Sequence, residues 1–291
     1  MQNPSRRAFL GGRAPQISLW EQFLLQVQRK TQGSLRRLDQ GEEQAVFTPL
    51  ILADLHHVRQ LCHAFGIKLY LWGSREQSDD EVDAILWLDC SRLAQLAPVD
   101  AEQNQWFMQA GVSMSQLKEV GFDALASLPD DLLVANWLAQ ARYQYRPLSR
   151  IAESGLVHAS LLMSDGTVSS LGAFGAQNTK PLNTALLRQI VPQLFQLATT
   201  ELAQPVLALP DWIGAYRWDI LQADNTALNL SHLLLGHGGD LGVVEWVVLD
   251  KQLLRAAEPL KALPEDPALC IAAQELDGAV KQLFDPDQLF S

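Results

Sequence analysis

The sequence predicts an α+β protein built as two interleaved lobes, and three stretches carry that expectation. Residues 46–74 read as a strand, a helix and a second strand ending in a small loop, Gly73-Ser74. Leu156–Leu171 reads as a β-hairpin turning at Ser164-Asp165-Gly166-Thr167. Between a helical-looking run, Leu228–Leu235, and a β-rich run, Val243–Leu249, stand Gly236, Gly238, Gly239 and Gly242. Glycine reaches φ > 0 without strain and lets another backbone or a ligand come close. That loop is either a structural turn or a surface facing something flat or phosphorylated, and its spacing leaves both open.

The elements follow in order. Ser18-Leu19-Trp20-Glu21 has capping-box spacing, and Trp20, Phe23, Leu24 and Val27 recur at helical intervals, so a helix is expected from Leu19 to about Lys30. Val46–Pro49 is extended. Ala53–Phe65 is amphipathic, with Leu55, Val58, Leu61, Cys62 and Phe65 on one face and Gly66 as its stop. Ile67–Trp72 is β-rich, and Ala84–Leu88 is apolar throughout, as a central strand would be. Gln105–Ala110 alternates as a strand does. Ser113–Val120 and Leu132–Tyr143 read as helices. Pro181–Ala203 has a long helical pattern, bent or restarted at Pro192, and Val206–Leu209 and Ala215–Ile220 read as strands. Pro267–Phe284 is a helix closed by Asp285-Pro286.

Composition narrows the function. The chain has 291 residues, 48% hydrophobic and 19% charged, with a formal net charge of −11. Such an acidic surface repels nucleic acid and anionic lipid. No run is long and apolar enough to span a bilayer. Cys62, Cys90 and Cys270 are odd in number and widely spaced, which suits buried apolar roles in a reducing compartment. Ser5-Arg6-Arg7-Ala8-Phe9-Leu10 has the look of a twin-arginine export motif, but Gly11–Gln16 supplies no apolar stretch after it. The expectation is a basic N-terminal tail on a cytoplasmic protein.

Catalytic motifs are sparse. Among His56, His57, His63, His158, His232 and His237 there is no HExxH or HxH pattern, and the cysteines add no cluster, so no metal site is expected. GxSxG, Walker A and GxGxxG are absent. His237 alone occupies a suggestive position, and a solvated loop histidine is the simpler reading. Asp79, Asp80, Glu81 and Asp83 read as a solvated acidic loop. Arg142, Tyr143, Tyr145 and Arg146 form a mixed aromatic and basic patch, suited to a cofactor, a partner or a helix end.

Read together, four blocks resemble the FAD-linked oxidases of the vanillyl-alcohol-oxidase type (the PCMH-type FAD-binding fold), most like the small FAD-binding E subunit of glycolate oxidase. They are Pro49–Ser74, Ile85–Asp89 through Gln109–Val112, Val157–Gly166, and Asn229–Val243; Leu283-Phe284-Asp285-Pro286 is also similar to the family. The resemblance implies an N-terminal tail and helix over 1–45, one FAD-binding-type lobe over 46–115 and a second over 116–291, with a helical insertion at 181–203 and no C-terminal catalytic cap domain. It places FAD contacts at Trp72, Gly73 and Ser74, at Ala135 and Asn136, and at Gly236, His237, Gly238, Gly239, Leu241 and Gly242. In that family, amides of the first loop hold the flavin pyrophosphate.

The match to those loops is partial. Of three family glycines, only Gly73 is present, and the Trp72 ring is large enough to block a phosphate. A glycine pair is missing at Ala135-Asn136. His237 and Gly238 replace the family's residues in the last loop. Two functions follow. One is an auxiliary flavin-binding subunit of a glycolate- or D-lactate-oxidising complex, with a larger catalytic flavoprotein or iron–sulfur subunit as partner. The other is a degenerate, non-catalytic relative that has lost FAD and serves as a scaffold or assembly protein. No catalytic residue is assigned.

Overall fold

Ser18 accepts a hydrogen bond from the Glu21 amide at 3.1 Å and so caps helix α1 (Leu19–Lys30). The capping box is only half formed, because the Glu21 carboxylate turns to Arg37, 2.6 Å away. The computed structural model describes residues 17–38, 43–74, 84–102, 104–174, 182–222, 228–261 and 266–290. The Ser5–Leu10 motif, the acidic stretch Glu76–Asp83 and Pro181, the expected start of the helical insertion, lie outside them.

Two sheets organise the α+β fold. The first holds β1 (Ser34–Arg37), β2 (Gln44–Thr48), β3 (Lys68–Leu71) and β4 (Ile85–Leu88) in the order β1-β2-β4-β3. Strands β2, β4 and β3 run parallel, with Ala45 and Leu69 both in register with Leu86, and β1 pairs antiparallel at the edge. Helix α2 (Leu52–Phe65) connects β2 to β3 and ends on Gly66 in the left-handed region. Helices α1 and α2 share one core with this sheet, including Phe23, Val27, Phe47, Val58, Cys62 and Leu86. Asp54, almost fully buried, accepts from the Gln32, Leu50 and Ile51 amides, so its carboxylate ties the helix start.

The second sheet is antiparallel: β5 (Leu96–Pro98), β6 (Gln105–Gln109), β7 (Leu156–Leu162), β8 (Val168–Leu171) and β9 (Val243–Asp250), in the order β5-β6-β9-β7-β8. The short helices α3 (Met114–Glu119) and α4 (Val134–Ala139) lie between β6 and β7 in sequence. Helices α5 (Ala185–Ala198), α6 (Ala203–Leu207) and α7 (Pro267–Phe284) share a large core with this sheet, in which Trp137, Trp218, Leu194 and Phe284 are fully enclosed.

Several expectations change. Val206–Leu209 is no strand but the end of α6 and its exit, and Ala215–Ile220 leads into a 3-10 turn at Trp218–Leu221. Short apolar runs bury equally well in either form, and here packing on the helical side decides. Pro205 falls in the first turn of α6, where its missing N–H is not needed. Helix α5 runs through Pro192 without restarting. The helix expected over 132–143 is confined to α4, because Gln140 is extended and a 3-10 turn, Ala141–Tyr143, follows. The run before the glycine loop is likewise a 3-10 turn, Leu230–Leu234, capped by the Asn229 carboxamide. Strands β1 and β5 were not foreseen; both are short, and β1 carries three polar residues out of four.

The lobes are tied by polar contacts across α2. The His56 ring nitrogen Nε2 meets Glu245 at 2.8 Å, Ser160 donates to the other Glu245 oxygen at 2.8 Å, and Arg59 donates to the Ser164 carbonyl at 2.9 Å. After α7, the segment Asp285–Phe290 returns to the first sheet, where the Leu69 amide donates to the Leu289 carbonyl at 2.8 Å. Buried Asp285 accepts from the Leu289 and Phe290 amides and from Lys281, which drives the Phe290 ring between the lobes.

Candidate functional site

Of the residues that the resemblance marks for FAD, Gly73, Ser74, Gly236 and Gly238 converge on one cleft. The ends of β3 and α4 and the loop before β9 meet at a cleft of about 500 Å³ lined by Gly73, Ser74, Gln140, Arg142, Gly236 and Gly238, among others. Asn136 donates from Nδ2 to the Trp72 carbonyl at 2.7 Å, and Gln140 donates to the Gly73 carbonyl at 2.9 Å, so α4 and its exit hold the first loop. Gly236 and Gly238 have positive φ (83° and 69°), and their amides donate to the Leu138 and Ala139 carbonyls at 2.8 Å each. Asn136→Ala is expected to lower stability by about 1–2 kcal/mol, since it leaves the Trp72 carbonyl without its donor. The check is the urea midpoint, which should fall with an unchanged slope; a wild-type midpoint would refute the clamp.

The glycines are required by the turn itself. At Gly242 the backbone has φ 147°, and a Cβ would sit 2.7 Å from the Leu162 carbonyl oxygen. At Gly236 a Cβ would sit 3.1 Å from the Ala141 backbone, again at positive φ. The loop threads between β7 and the exit of α4, where only glycine passes.

Its first five amides are engaged within the chain. From Gly236 to Asp240 each N–H meets a protein acceptor: Leu138 O, Leu234 O, Ala139 O, the His237 ring nitrogen Nδ1 (3.3 Å) and His237 O (3.0 Å). The Trp72, Ser74 and Ala135 amides donate to the Leu88, Leu71 and Ala110 carbonyls. An anion cradle needs several oriented N–H groups without internal partners. These engaged amides clasp segments together and are not free to hold an anion, whereas the Gly73, Leu241 and Gly242 amides have no such acceptor among the described residues.

Two side chains stand where sequence reasoning did not put them. Trp72 lies edge-on to Trp87 (5.8 Å) with the Arg36 guanidinium 5.9 Å from its ring, packed with Tyr70, Val46 and Ile85 on a separate small core of the first sheet. It therefore does not crowd the cleft; strand alternation carries it to the other face. His237 is only 2% exposed, not solvated. Burial, with the charge of Lys281, pushes its pKa down to about 3, and the Gly239 amide donating to Nδ1 fits a neutral ring. His232 is also enclosed, held down at about 4 mainly by burial, with Nε2 3.2 Å from the Leu156 carbonyl. Leu241 is fully buried in the second core.

Deeper between the lobes, the space bounded by Leu69, Leu88, Ala135, His237, Gly239 and Phe290 amounts to about 20 Å³. That is room for about one water molecule, far below the roughly 300–1,000 Å³ of pockets that take drug-sized ligands. Among the described residues no cluster of His, Cys, Asp and Glu could hold a metal ion, and no helix is long and apolar enough to cross a membrane. Burial pushes the Cys62 and Cys90 thiols up, which makes both inert. Gln140 and Phe290 escaped the sequence reading. The apolar pair Leu289-Phe290, just past a helix stop, was the available signal for the second; nothing local marked the first.

No family model matches the chain, and no curated protein matches its sequence. Solved structures similar to it include an alkyldihydroxyacetonephosphate synthase, at 15% identity over 71% of this chain and 31% of that one, with a TM-score of 0.41. Wild-type BBE-like 1 of Physcomitrella patens is similar at 11% identity over 78% of this chain and 44% of that one, with a TM-score of 0.46. The chain spans less than half the length of either, so the activity of neither transfers to it.

Proposed function

We propose that this chain is a relative of the FAD-linked oxidases that works without a resident FAD, as a non-catalytic scaffold or assembly subunit. The observation that carries the reading is the run of consecutive amides Gly236–Asp240, all donating to acceptors of the chain itself. The Ala135 amide, at the missing glycine pair, is engaged in the same way, and Phe290 fills the space between the lobes. The sequence likeness to the glycolate oxidase E subunit makes a larger flavoprotein or iron–sulfur subunit of a 2-hydroxy-acid oxidoreductase the partner to look for.

A specific observation favours a second reading. The open cleft gathers Gly73, Ser74, Gly236 and Gly238 beside Arg142, as an auxiliary flavin-binding subunit would require. Absorbance near 450 nm, recorded after incubation with FAD and removal of free cofactor, separates the two. The proposed function expects a colourless protein; stoichiometric retained FAD would overturn it in favour of the second.

A further inference from the structure

The aromatic and basic patch at 142–146 has no part in the glycine clasp, apart from Arg142, which borders both. On its other side Arg142 joins Arg146 and Arg255 around a separate cavity of about 110 Å³, walled by Ser127, Leu128 and Trp137. No acidic side chain lines it. Three arginines thus line one hollow of a protein whose formal net charge is −11, with Arg142 also donating to the Gln140 carboxamide and Arg255 to the Gln252 and Leu254 carbonyls.

Arg146 is the unusual member. It is 3% exposed, yet among the described residues no carboxylate hydrogen-bonds it. One terminal nitrogen donates to the Arg255 carbonyl at 2.7 Å; the other reaches only the Gln144 carbonyl and carboxamide, at 3.4 and 3.5 Å; Nε has no partner. The adjacent Arg217 is neutralised by a bidentate pair with Asp219 at 2.9 and 2.6 Å, while donating to the Arg146 carbonyl. The nearby carboxylates Glu153 and Glu258 hydrogen-bond Arg150 instead. A buried guanidinium whose hydrogen bonds all go to neutral acceptors is costly, and Glu153 and Glu258, engaged with Arg150, offset that cost only through space. Burial, then the charge of Arg217, pushes Arg146 down to about 10 against the opposing pull of Glu153 and Glu258.

We propose that this cavity is an anion site: it takes a small molecule bearing a phosphate or carboxylate, paired by Arg142, Arg146 and Arg255, with its apolar part against Leu128 and Trp137. Guanidinium forks suit both oxyanions, because two N–H groups match two oxygens. The volume admits such a head group with a few carbons and excludes drug-sized ligands. The site stands independently of the flavin question, since the cradle it offers is made of side chains.

The test is the thermal unfolding midpoint of the full chain, titrated with inorganic phosphate and, separately, with butyrate, against chloride at matched ionic strength. A saturable rise with at least one probe is expected, as for any ligand that binds only the folded state. Whichever probe acts names the oxyanion. Arg142 and Arg255 are exposed, so R142Q and R255M leave the core intact, and each should raise the half-saturating concentration tenfold or more. No saturable rise with either probe, or a rise that both variants leave unchanged, would overturn the site.

Discussion

Lowering the pH from 7 to 5 is expected to remove a net 3 kcal/mol, roughly, of folding stability, and the two histidines around the glycine loop are the cause. His232 and His237 are held neutral in the fold, down to about 4 and about 3. In the unfolded chain each titrates near the ordinary value of about 6.5. Below that value the unfolded state takes up protons that the native state refuses, so stability falls as the pH falls, from about 6.5 towards the folded values. Each histidine accounts for about 2 kcal/mol over this interval. Asp277 acts in the opposite sense. Burial raises it to about 6, so the native state binds its proton first and regains about 1 kcal/mol on acidification. Urea unfolding at the two pH values measures the net effect. Replacing both histidines by glutamine should abolish the loss and leave the small gain from Asp277. A wild-type stability flat to within about 1 kcal/mol would show that the rings are not enclosed.

Phe290→Ala should cost about 3–5 kcal/mol, the range for deleting a fully enclosed aromatic ring. The ring is 1% exposed and belongs to the core joining α1, α2 and the first sheet to Ala110, Ala135 and Val243. The surroundings cannot collapse freely into the gap, because β3 is anchored by the Leu69–Leu289 bond and the glycine loop by Leu138 and Ala139. The loss should appear as a lower denaturant midpoint for the whole protein. Asp285→Ala should approach the same loss by another route, since it frees two buried amides and leaves Lys281, 15% exposed at its side chain, without its carboxylate. If Phe290→Ala instead cost under 1 kcal/mol, the segment after α7 would be a surface strap, not part of the interlobe core.

The sequence by itself determined several features that are set within a dozen residues. The Ser18 cap, the apolar stripe of α2 and its Gly66 stop, the continuous apolar run of β4 and the turn at Asp165-Gly166 each act through neighbours along the chain, and each element stands where it was expected. The glycine loop was legible as a turn for the same reason: positive φ is a local demand. What the loop does was not legible, because the partners of its amides, Leu138 and Ala139, lie about a hundred residues away. The same holds for His237, enclosed by strands from both lobes and by Phe290, and for Trp72, whose ring packs against Trp87 on the face that the Tyr70–Trp87 register sets. Arg142 and Arg146 were visible as a basic patch, but only packing shows that one is exposed and the other buried without a carboxylate. Periodicity and capping are local energies and can be read along a chain; hydrogen-bond partners and burial come from segments that meet only when the chain has folded.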